Sequence, residues 1–322
     1  MSIRPSVRIL ILNYNGKALL EKYLPSFQRA VRKSAFSCAL GVVDNQSRDG
    51  SVEWLEKNYP GVSVYRAKEN LVLCSYNDAA REFQEDILIF MNNDIDVEED
   101  FIDPLIEPFL TDEKVFMVTP RCLSQKDGAY EGNKTHAAVR HGIFWSSSRF
   151  EGYEKTMGLP GLTAQGGFGA FHRQKFLEIG GYDTLYLPGR LEDADVCFHA
   201  YKRGWKCLYE PESVVYHEGG TSFHQKFGIR GTLVINWKNT FLFMWKNFSD
   251  RINFLETPLW LPVWFLRSLL RGEPEFIVGW WQALAKFGQA RRSRRALGRD
   301  CFAKGPSERE IFRRVSAGPE AS

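Results

Sequence analysis

Two hydrophobic periods alternate along the N-terminal part of the chain. Residues 7–12 are a nearly unbroken apolar run, the pattern of a strand buried on both faces. Residues 18–32 instead place Leu19, Leu20, Tyr23, Leu24, Phe27 and Val31 on one helical stripe. A second strand is predicted at 39–43, ending in Asp44, and a helix at 51–58 behind the turn and N-cap signal Asp49-Gly50-Ser51. A strand at 62–66, a helix at 76–85 and a strand at 86–91 continue the alternation. This order predicts an α/β fold with a mostly parallel sheet and helices on both faces. Ligands of such sheets bind beyond the carboxyl ends of the strands. The polar clusters 13–16, 44–49 and 92–96 all follow strands, so they belong to one site at one sheet edge.

Further along, 120–165 is irregular and reads as a flexible or substrate-covering segment. Gly166-Gly167 follows, then a predicted helix at 174–179, the turn Gly180-Gly181, and a helix from about 193 to 203 stopped by Gly204. Strands at 206–209 and 213–216 lead to His217. The character changes after Arg230: six of the nine tryptophans (Trp237, Trp245, Trp260, Trp264, Trp280, Trp281) lie there. The expected organisation is an α/β domain at 1–228, a helical Trp/Arg-rich extension at 229–300, and a flexible tail at 301–322. Apolar stretches at 257–266 and 276–285 are separated by Arg267, Arg271, Glu273 and Glu275. A spanning helix needs about 20 consecutive apolar residues, so neither stretch qualifies alone.

Composition narrows the class. The chain has 322 residues, 44% of them hydrophobic, which supports a large core and argues against overall disorder. The formal net charge of +3 selects no partner. Its distribution is more informative: Lys286, Arg291, Arg292, Arg294, Arg295 and Arg299 precede Asp300. Such a run is a solvated helix face or a contact for anionic lipid headgroups. With the tryptophans it suggests an interfacial surface, the alternative being a helical cap whose tryptophans pack on the catalytic domain. No nucleic-acid-binding module accompanies the arginines. The six cysteines form no Cys-x-x-Cys pair, and their low density reads as reduced and intracellular. With no signal-peptide pattern at the start, the expected location is cytoplasmic.

Three constellations carry candidate chemistry. The strand ending at Met91 delivers Asn92-Asn93-Asp94-Ile95-Asp96, oxygen ligands suited to Mg2+ or Mn2+. The same loop also reads as a polar turn before a helix near 100–109. Glu192-Asp193-Ala194-Asp195 opens a helix, where acids are favoured by the helix dipole. One of them in a pocket would serve as a general base toward an acceptor hydroxyl. His217, at a strand end before Gly219-Gly220, suits a metal or a phosphate, or a hydrogen bond to nearby backbone.

In this order the motifs resemble family-2 glycosyltransferases of the GT-A fold, most closely the bacterial branch with rhamnosyltransferase-type enzymes. The match runs over roughly residues 7 to 245. Asn13, Tyr14 and Asn15, then Asp44 and Asn45, resemble the donor-binding turns, with Asp44 accepting from the base. Asn70, Asn77, Asn92 and Asn93 fall in the same donor-binding set. The resemblance implies Asp94 as principal metal ligand, with Asp96 and His217 beside it, and Asp193 as catalytic base. It implies Gly166, Gly167, Glu192 and Asp195 on the acceptor side, and a basic–aromatic stretch at Arg230 and Asn236-Trp237-Lys238-Asn239. The implied reaction moves a sugar from a nucleotide-sugar donor to a glycan or lipid-linked acceptor, with inversion and a divalent cation. Three positions depart from the pattern: Val72 stands for a usual glycine, Asp183-Thr184 for Asp-Glu, and His199 for a frequent arginine. Two other readings share parts of this architecture, a sugar nucleotidyltransferase and a non-catalytic nucleotide-sugar-binding scaffold. The first gives Glu192-Asp193-Ala194-Asp195 no task, and the retained carboxylates argue against the second.

Overall fold

The computed structural model describes residues 4–219, 221–249, 251–298 and 305–317, side chains at 221–225 and 251–255 excepted. Gly220, Arg299, Asp300 and Cys301 lie outside these residues.

The predicted alternation forms β1 (Val7–Asn13), α1 (Lys17–Lys33), β2 (Cys38–Asp44), α2 (Ser51–Asn58), β3 (Ser63–Arg66), α3 (Tyr76–Glu82) and β4 (Ile87–Asn92). These four strands pair in parallel in the order β3-β2-β1-β4. Register sets Asn13 opposite Asp44 and Leu12 opposite Asn92, so the polar strand ends open on one edge. Then come β5 (Ile95–Val97), α4 (Ile102–Thr111), β6 (Val115–Ser124), β7 (Tyr130–Gly132), β8 (His136–Arg140), β9 (Ile143–Ser147), α5 (Tyr153–Thr156) and β10 (Gly161–Leu162). β11 (Gly169–His172), α6 (Arg173–Glu178), α7 (Glu192–Lys202) and β12 (Lys206–His217) complete the sheet region. The main sheet runs β10-β12-β6-β11-β4-β1-β2-β3, with β5 on β12 and β7 on β6.

Two expectations change here. The strands predicted at 206–209 and 213–216 are one strand, β12, whose register against β6 slips between Glu210 and Val214. Pro211 falls in that slip; it has no N–H to give the ladder, and a bulge accommodates it. The segment 120–165 is not irregular throughout: it holds β7, the β8–β9 hairpin and β10, all of five residues or fewer.

Side-chain alternation divides the core. Leu10, Leu88 and Phe90 face Tyr76, Phe171 and Phe176, while Ile9, Ile11 and Ile89 face α1 and α4 through Leu20, Phe27 and Leu105. Phe90 stacks on Tyr76 at 4.2 Å, and the Tyr76 hydroxyl donates to the Met91 carbonyl at 2.7 Å. Each such buried side chain contributes about 1.5–3 kcal/mol.

The C-terminal helices are α8 (Thr221–Asn247, kinked at Gly228), α9 (Arg251–Arg271), α10 (Glu275–Ala285), α11 (Phe287–Ala296) and α12 (Glu308–Ser316). α10 approaches α8 at Gly279, where a Cβ would lie 2.5 Å from the Trp237 Cβ. Trp237, Trp245, Trp264 and Trp280 pack among Phe241 and Phe276, with ring centroids 4.8–6.0 Å apart. These four are therefore cap residues. Trp260 and Trp281 stay exposed. Within the stretch read as a flexible tail, α12 buries Ile311, Phe312 and Val315, with Phe312 against Phe144 and Phe198.

Lys246 on α8 joins this cap to α7 and the loop before it. Its ammonium is buried, 2.7 Å from Asp183 Oδ2 and 2.6 Å from Asp195 Oδ2. Asp195 also accepts from the Tyr186 hydroxyl and from Asn247 Nδ2, both at 2.7 Å. Burial opposes its charge, but Lys246 and His199 beside it hold the Asp195 carboxyl below the usual range. Removing the cation leaves two carboxylates uncompensated in the interior. Lys246→Ala should therefore lower unfolding free energy by about 3–5 kcal/mol in urea titration. Lys33→Ala, which removes an exposed pair with Asp100 at 3.9 Å, should change it by less than about 1 kcal/mol.

Candidate active site

The sheet edge is built from side chains that bond to one another. Asn13 is fully buried; its Nδ2 donates to Ser51 Oγ at 3.0 Å, Ser47 Oγ at 3.1 Å and Asp44 Oδ1 at 3.3 Å. Its Oδ1 accepts from Asn93 Nδ2 at 2.8 Å. Gly16 makes room for this pair, since a Cβ there would stand 2.0 Å from Asn93 Nδ2. Asp44 Oδ2 accepts from the Ser47 N–H at 3.0 Å. Asp44 thus shapes the loop, and contact with a nucleotide base has to use its remaining lone pairs. Asn45 bonds Ser75 Oγ and the Val72 carbonyl. Asn15 has φ 49°, its N–H donating to Ser47 Oγ and its Oδ1 accepting from the Arg48 N–H. Tyr14, between Asn13 and Asn15, presents an exposed ring.

Two further asparagines of the donor set hold backbone. Asn70 Oδ1 accepts from the Val72 N–H at 3.1 Å. Val72 has φ 53°, the left-handed region where a β-branched residue is an outlier and glycine is at ease. Asn77 trades two 2.8 Å bonds with the backbone of Tyr182, tying α3 to the Gly180-Gly181 turn.

Asp94 sits in the turn between β4 and β5 and is brought beside His217 by the antiparallel pairing of β5 with the end of β12. His217 Nε2 lies 3.3 Å from Asp94 Oδ2, and its Nδ1 lies 2.7 Å from Glu131 Oε2 on β7. The Asp94 carboxylate, with Glu131 behind, raises the imidazole to about 9 against the cost of burial. Asp94 Oδ1 is buried with no hydrogen-bond partner. The orphaned Asp94 oxygen fits a divalent cation, and His217 would join it as a ligand only after the cation displaces the Nε2 proton. Among the described residues no three or more His, Cys, Asp or Glu side chains are assembled to hold an ion by themselves. That suits a cation that takes one or two protein ligands and completes its shell with phosphate oxygens and water. Asp96 stands on β5 opposite Tyr216, and its Oδ1 accepts from the Val97 N–H at 3.1 Å. Asn92 lies at the last position of β4.

His217 also lines a cavity of about 670 Å³. Its walls include Glu131, Trp145, Gln165, Arg190, Asp193 and Trp237. Asp193 enters at the start of α7, nearly buried, its Oδ1 accepting from the Ala194 N–H at 2.9 Å. Burial raises its carboxyl above the usual range, partly offset by a bond from Gln165. Gly167 faces it: a Cβ there would lie 3.9 Å from Asp193 Oδ2. Gly166 instead packs on Met117 and Thr119 of β6. Glu192 does not line this cavity; burial and the neighbouring Asp193 charge push it up to about 8, and its Oε2 has no partner. Asp195 points into the core, onto Lys246. The structure therefore separates the four expected acceptor-side residues: Gly167 is on the cavity with Asp193, while Gly166, Glu192 and Asp195 support it from behind.

The loop entering α7 holds Arg190 and Leu191 at φ 80° and 73°. Two consecutive non-glycine residues in that region need external support. Asn239 on α8 supplies it, donating Nδ2 to the carbonyls of Tyr186 and Gly189 at 2.7 Å and Arg190 at 2.9 Å. Lys238 donates to the Leu187 carbonyl at 2.8 Å, while Asn236 and Trp237 line the cavity. Glu131, Gln165, Arg190 and Lys246 were not singled out in the sequence. Gln165 alone carried a signal, standing directly before Gly166-Gly167.

Known proteins are similar to this chain in family and in fold. The family model described as glycosyl transferase family 2 matches residues 8–180. No curated protein matches the chain. Among solved structures, GalNAc-T7 with UDP, GalNAc and Mn2+ is similar over 76% of this chain at 18% identity and TM-score 0.56. The chain spans about half of that one, 48% of its length. The mannosyltransferase PcManGT from Pyrobaculum calidifontis, in complex with GDP-Man and Mn2+, is similar over 92% of this chain and 77% of its own. Its identity is 16% and its TM-score 0.53.

Two outcomes follow from the site. Glu131→Gln removes the carboxylate that orients His217, and calorimetric Mn2+ affinity should fall about 10–100-fold; unchanged affinity would make Glu131 a bystander. Glu192, raised when folded, stabilises fully below its unfolded pKa and loses that contribution as pH rises to about 8. Urea titrations of Glu192→Gln should therefore gain on the parent between about pH 4.5 and 8 and then level off.

Proposed function

The chain belongs to glycosyl transferase family 2, and we propose that it is a metal-dependent, inverting enzyme transferring a sugar from a nucleoside-diphosphate donor to an acceptor hydroxyl. The observation that carries this reading is the shared cavity: Asp193 and His217 face the same space, and His217 contacts Asp94. A base for the acceptor and the groups for a departing diphosphate thus meet at one place.

The chemistry is a single displacement. Asp193 takes the proton of the acceptor hydroxyl as its oxygen attacks the anomeric carbon from the face opposite the leaving group. The bond to the diphosphate breaks in the same step, and inversion follows. Asp94 and His217 would hold Mg2+ or Mn2+, which supplies positive charge to the developing diphosphate. Arg190 faces the same cavity and adds a fixed positive charge. Asn13, Asn15, Asp44 and Asn45 keep the donor turns in shape, and the exposed Tyr14 ring is free to stack on a nucleobase. Asn92 and Asn93 border this turn, and Asp96 stands two residues past Asp94.

The donor we favour is dTDP-rhamnose or a UDP-hexose, and the acceptor a glycan or a lipid-linked sugar in bacterial surface polysaccharide synthesis. The motif pattern of the rhamnosyltransferase-like branch supports that choice. The similar structures were solved with UDP and GDP-Man, each with Mn2+. A cytoplasmic location, peripheral on the inner membrane, fits the same reading.

Asp193→Asn tests the base. Turnover should fall by about 10²–10⁴ while donor affinity in calorimetry is kept. Full turnover would remove Asp193 from the mechanism. In the parent enzyme the rate should fall as pH drops through the raised Asp193 pKa, so the acid limb lies above the ordinary carboxylate range.

A further inference from the structure

Among the described residues, the cap leaves an apolar surface uncovered on α9 and α10. On α9, Leu259, Val263, Leu266 and Leu270 recur at i, i+4, i+7 and i+11 and face outward, with Leu259 at 74% and Leu270 at 78% exposure. The inward side of the same helix carries Trp264 and Phe265, packed on the aromatic cluster. Beside it, α10 turns Phe276 and Ala283 inward and leaves Val278, Trp281 and Leu284 exposed. Exposed leucine, valine and tryptophan on two adjoining helices form the kind of apolar patch that marks an interaction surface.

Charge says what covers this surface. Arg267 and Arg271 are exposed on α9, and Arg291, Arg292 and Arg295 are exposed on α11. The acids nearby are fewer: Glu275 is buried and paired with Arg230, Glu256 pairs with Arg309, and Glu273 lies in the exposed turn. A second copy of the same face would bring arginines against arginines. An anionic bilayer accepts the leucines into its hydrocarbon boundary, Trp260 and Trp281 at headgroup level, and the arginines among phosphates. Among the described residues no helix is long and apolar enough to cross a membrane, which suits a helix pair lying in the interface.

We propose that the outward face of α9 and α10, with the arginines of α9 and α11, is an interfacial docking surface for anionic lipid. The same helix braces the cavity. Thr257 Oγ1 donates to the Gly142 carbonyl at 2.7 Å, and Trp264 Nε1 to the His141 carbonyl at 3.0 Å. They hold the turn of the β8–β9 hairpin, whose Trp145 and Ser146 line the cavity. Docking through α9 therefore fixes the cavity relative to the bilayer. Resting on the transferase reading, this delivers an acceptor carried on a membrane lipid to Asp193.

The test is cosedimentation of the full chain with phosphatidylglycerol–phosphatidylcholine vesicles and with pure phosphatidylcholine vesicles. Binding should favour the anionic vesicles and weaken with salt. Leu266→Asp with Leu270→Asp should lower the partition at least tenfold, and Arg291→Ser, Arg292→Ser and Arg295→Ser together should weaken the anionic preference. These positions are exposed, so the melting temperature and donor affinity should not move. Parent protein that stays in the supernatant, variants that bind as well as the parent, or a homodimer broken by the leucine changes without vesicle binding would each overturn the proposal. Transfer to a water-soluble acceptor reads the proposed activity separately: its loss in the parent counts against the transferase reading, not the docking surface.

Discussion

Lys246 stands between two carboxylates from different elements, and the geometry of the site follows from where it holds them. Asp183 comes from the loop before α7, Asp195 from α7 itself, and the ammonium from α8. Buried charges of this kind are tolerated only when paired and hydrogen-bonded, so the three elements have one mutual arrangement. An α-helix turns about 100° per residue, which puts Asp193 and Asp195 about 200° apart. Clamping Asp195 against Lys246 therefore turns Asp193 the other way, onto the cavity. The adjacent Asn239 does the same for the backbone, holding the strained Arg190-Leu191 entry by three carbonyls. The cap is thus part of the catalytic geometry. The helix that presents the proposed base depends on a lysine about fifty residues further along the chain.

The surroundings of His217 are arranged on the same principle with strands in place of helices. β12 ends at His217, β5 brings Asp94 to one ring nitrogen, and β7 brings Glu131 to the other. With Glu131 on Nδ1, the ring edge facing Asp94 is Nε2. Glu218, the next residue, accepts from Lys22 at 2.9 Å and Tyr23 at 2.8 Å and fastens the strand end to α1. The turns after β1 and β2, the Asp94–His217 pair and the cavity are therefore three neighbouring parts of one sheet edge and its cover.

The donor half was legible because its signals are local. Long buried strands, an amphipathic α1 and polar strand ends follow from period and composition, and a parallel register does the rest. Motif order singles out Asp94, Asp193 and His217; in the structure His217 contacts Asp94 and shares a cavity with Asp193. The acceptor half was less legible. Its strands are two to five residues long and rich in glycine, serine and histidine, too short for alternation to register. Glu131 and Lys246 have no neighbours in sequence that announce them; their role is created by pairing across the fold. Val72 shows the reverse case. Its place in the motif called for glycine, and the backbone there is left-handed at φ 53°, a conformation that costs an L-residue about 1–2 kcal/mol. The aromatic tail was ambiguous because the tryptophans divide: four build the cap, and two face outward.

The central claim is that one edge of this sheet binds a nucleotide sugar through a divalent cation. Calorimetric titration with UDP-, dTDP- and GDP-sugars, in Mn2+ or Mg2+ and then in EDTA, measures it directly. The account predicts that one donor binds with the cation present and is lost with EDTA. A folded protein that binds none of the donors, or binds one equally well in EDTA, would contradict it.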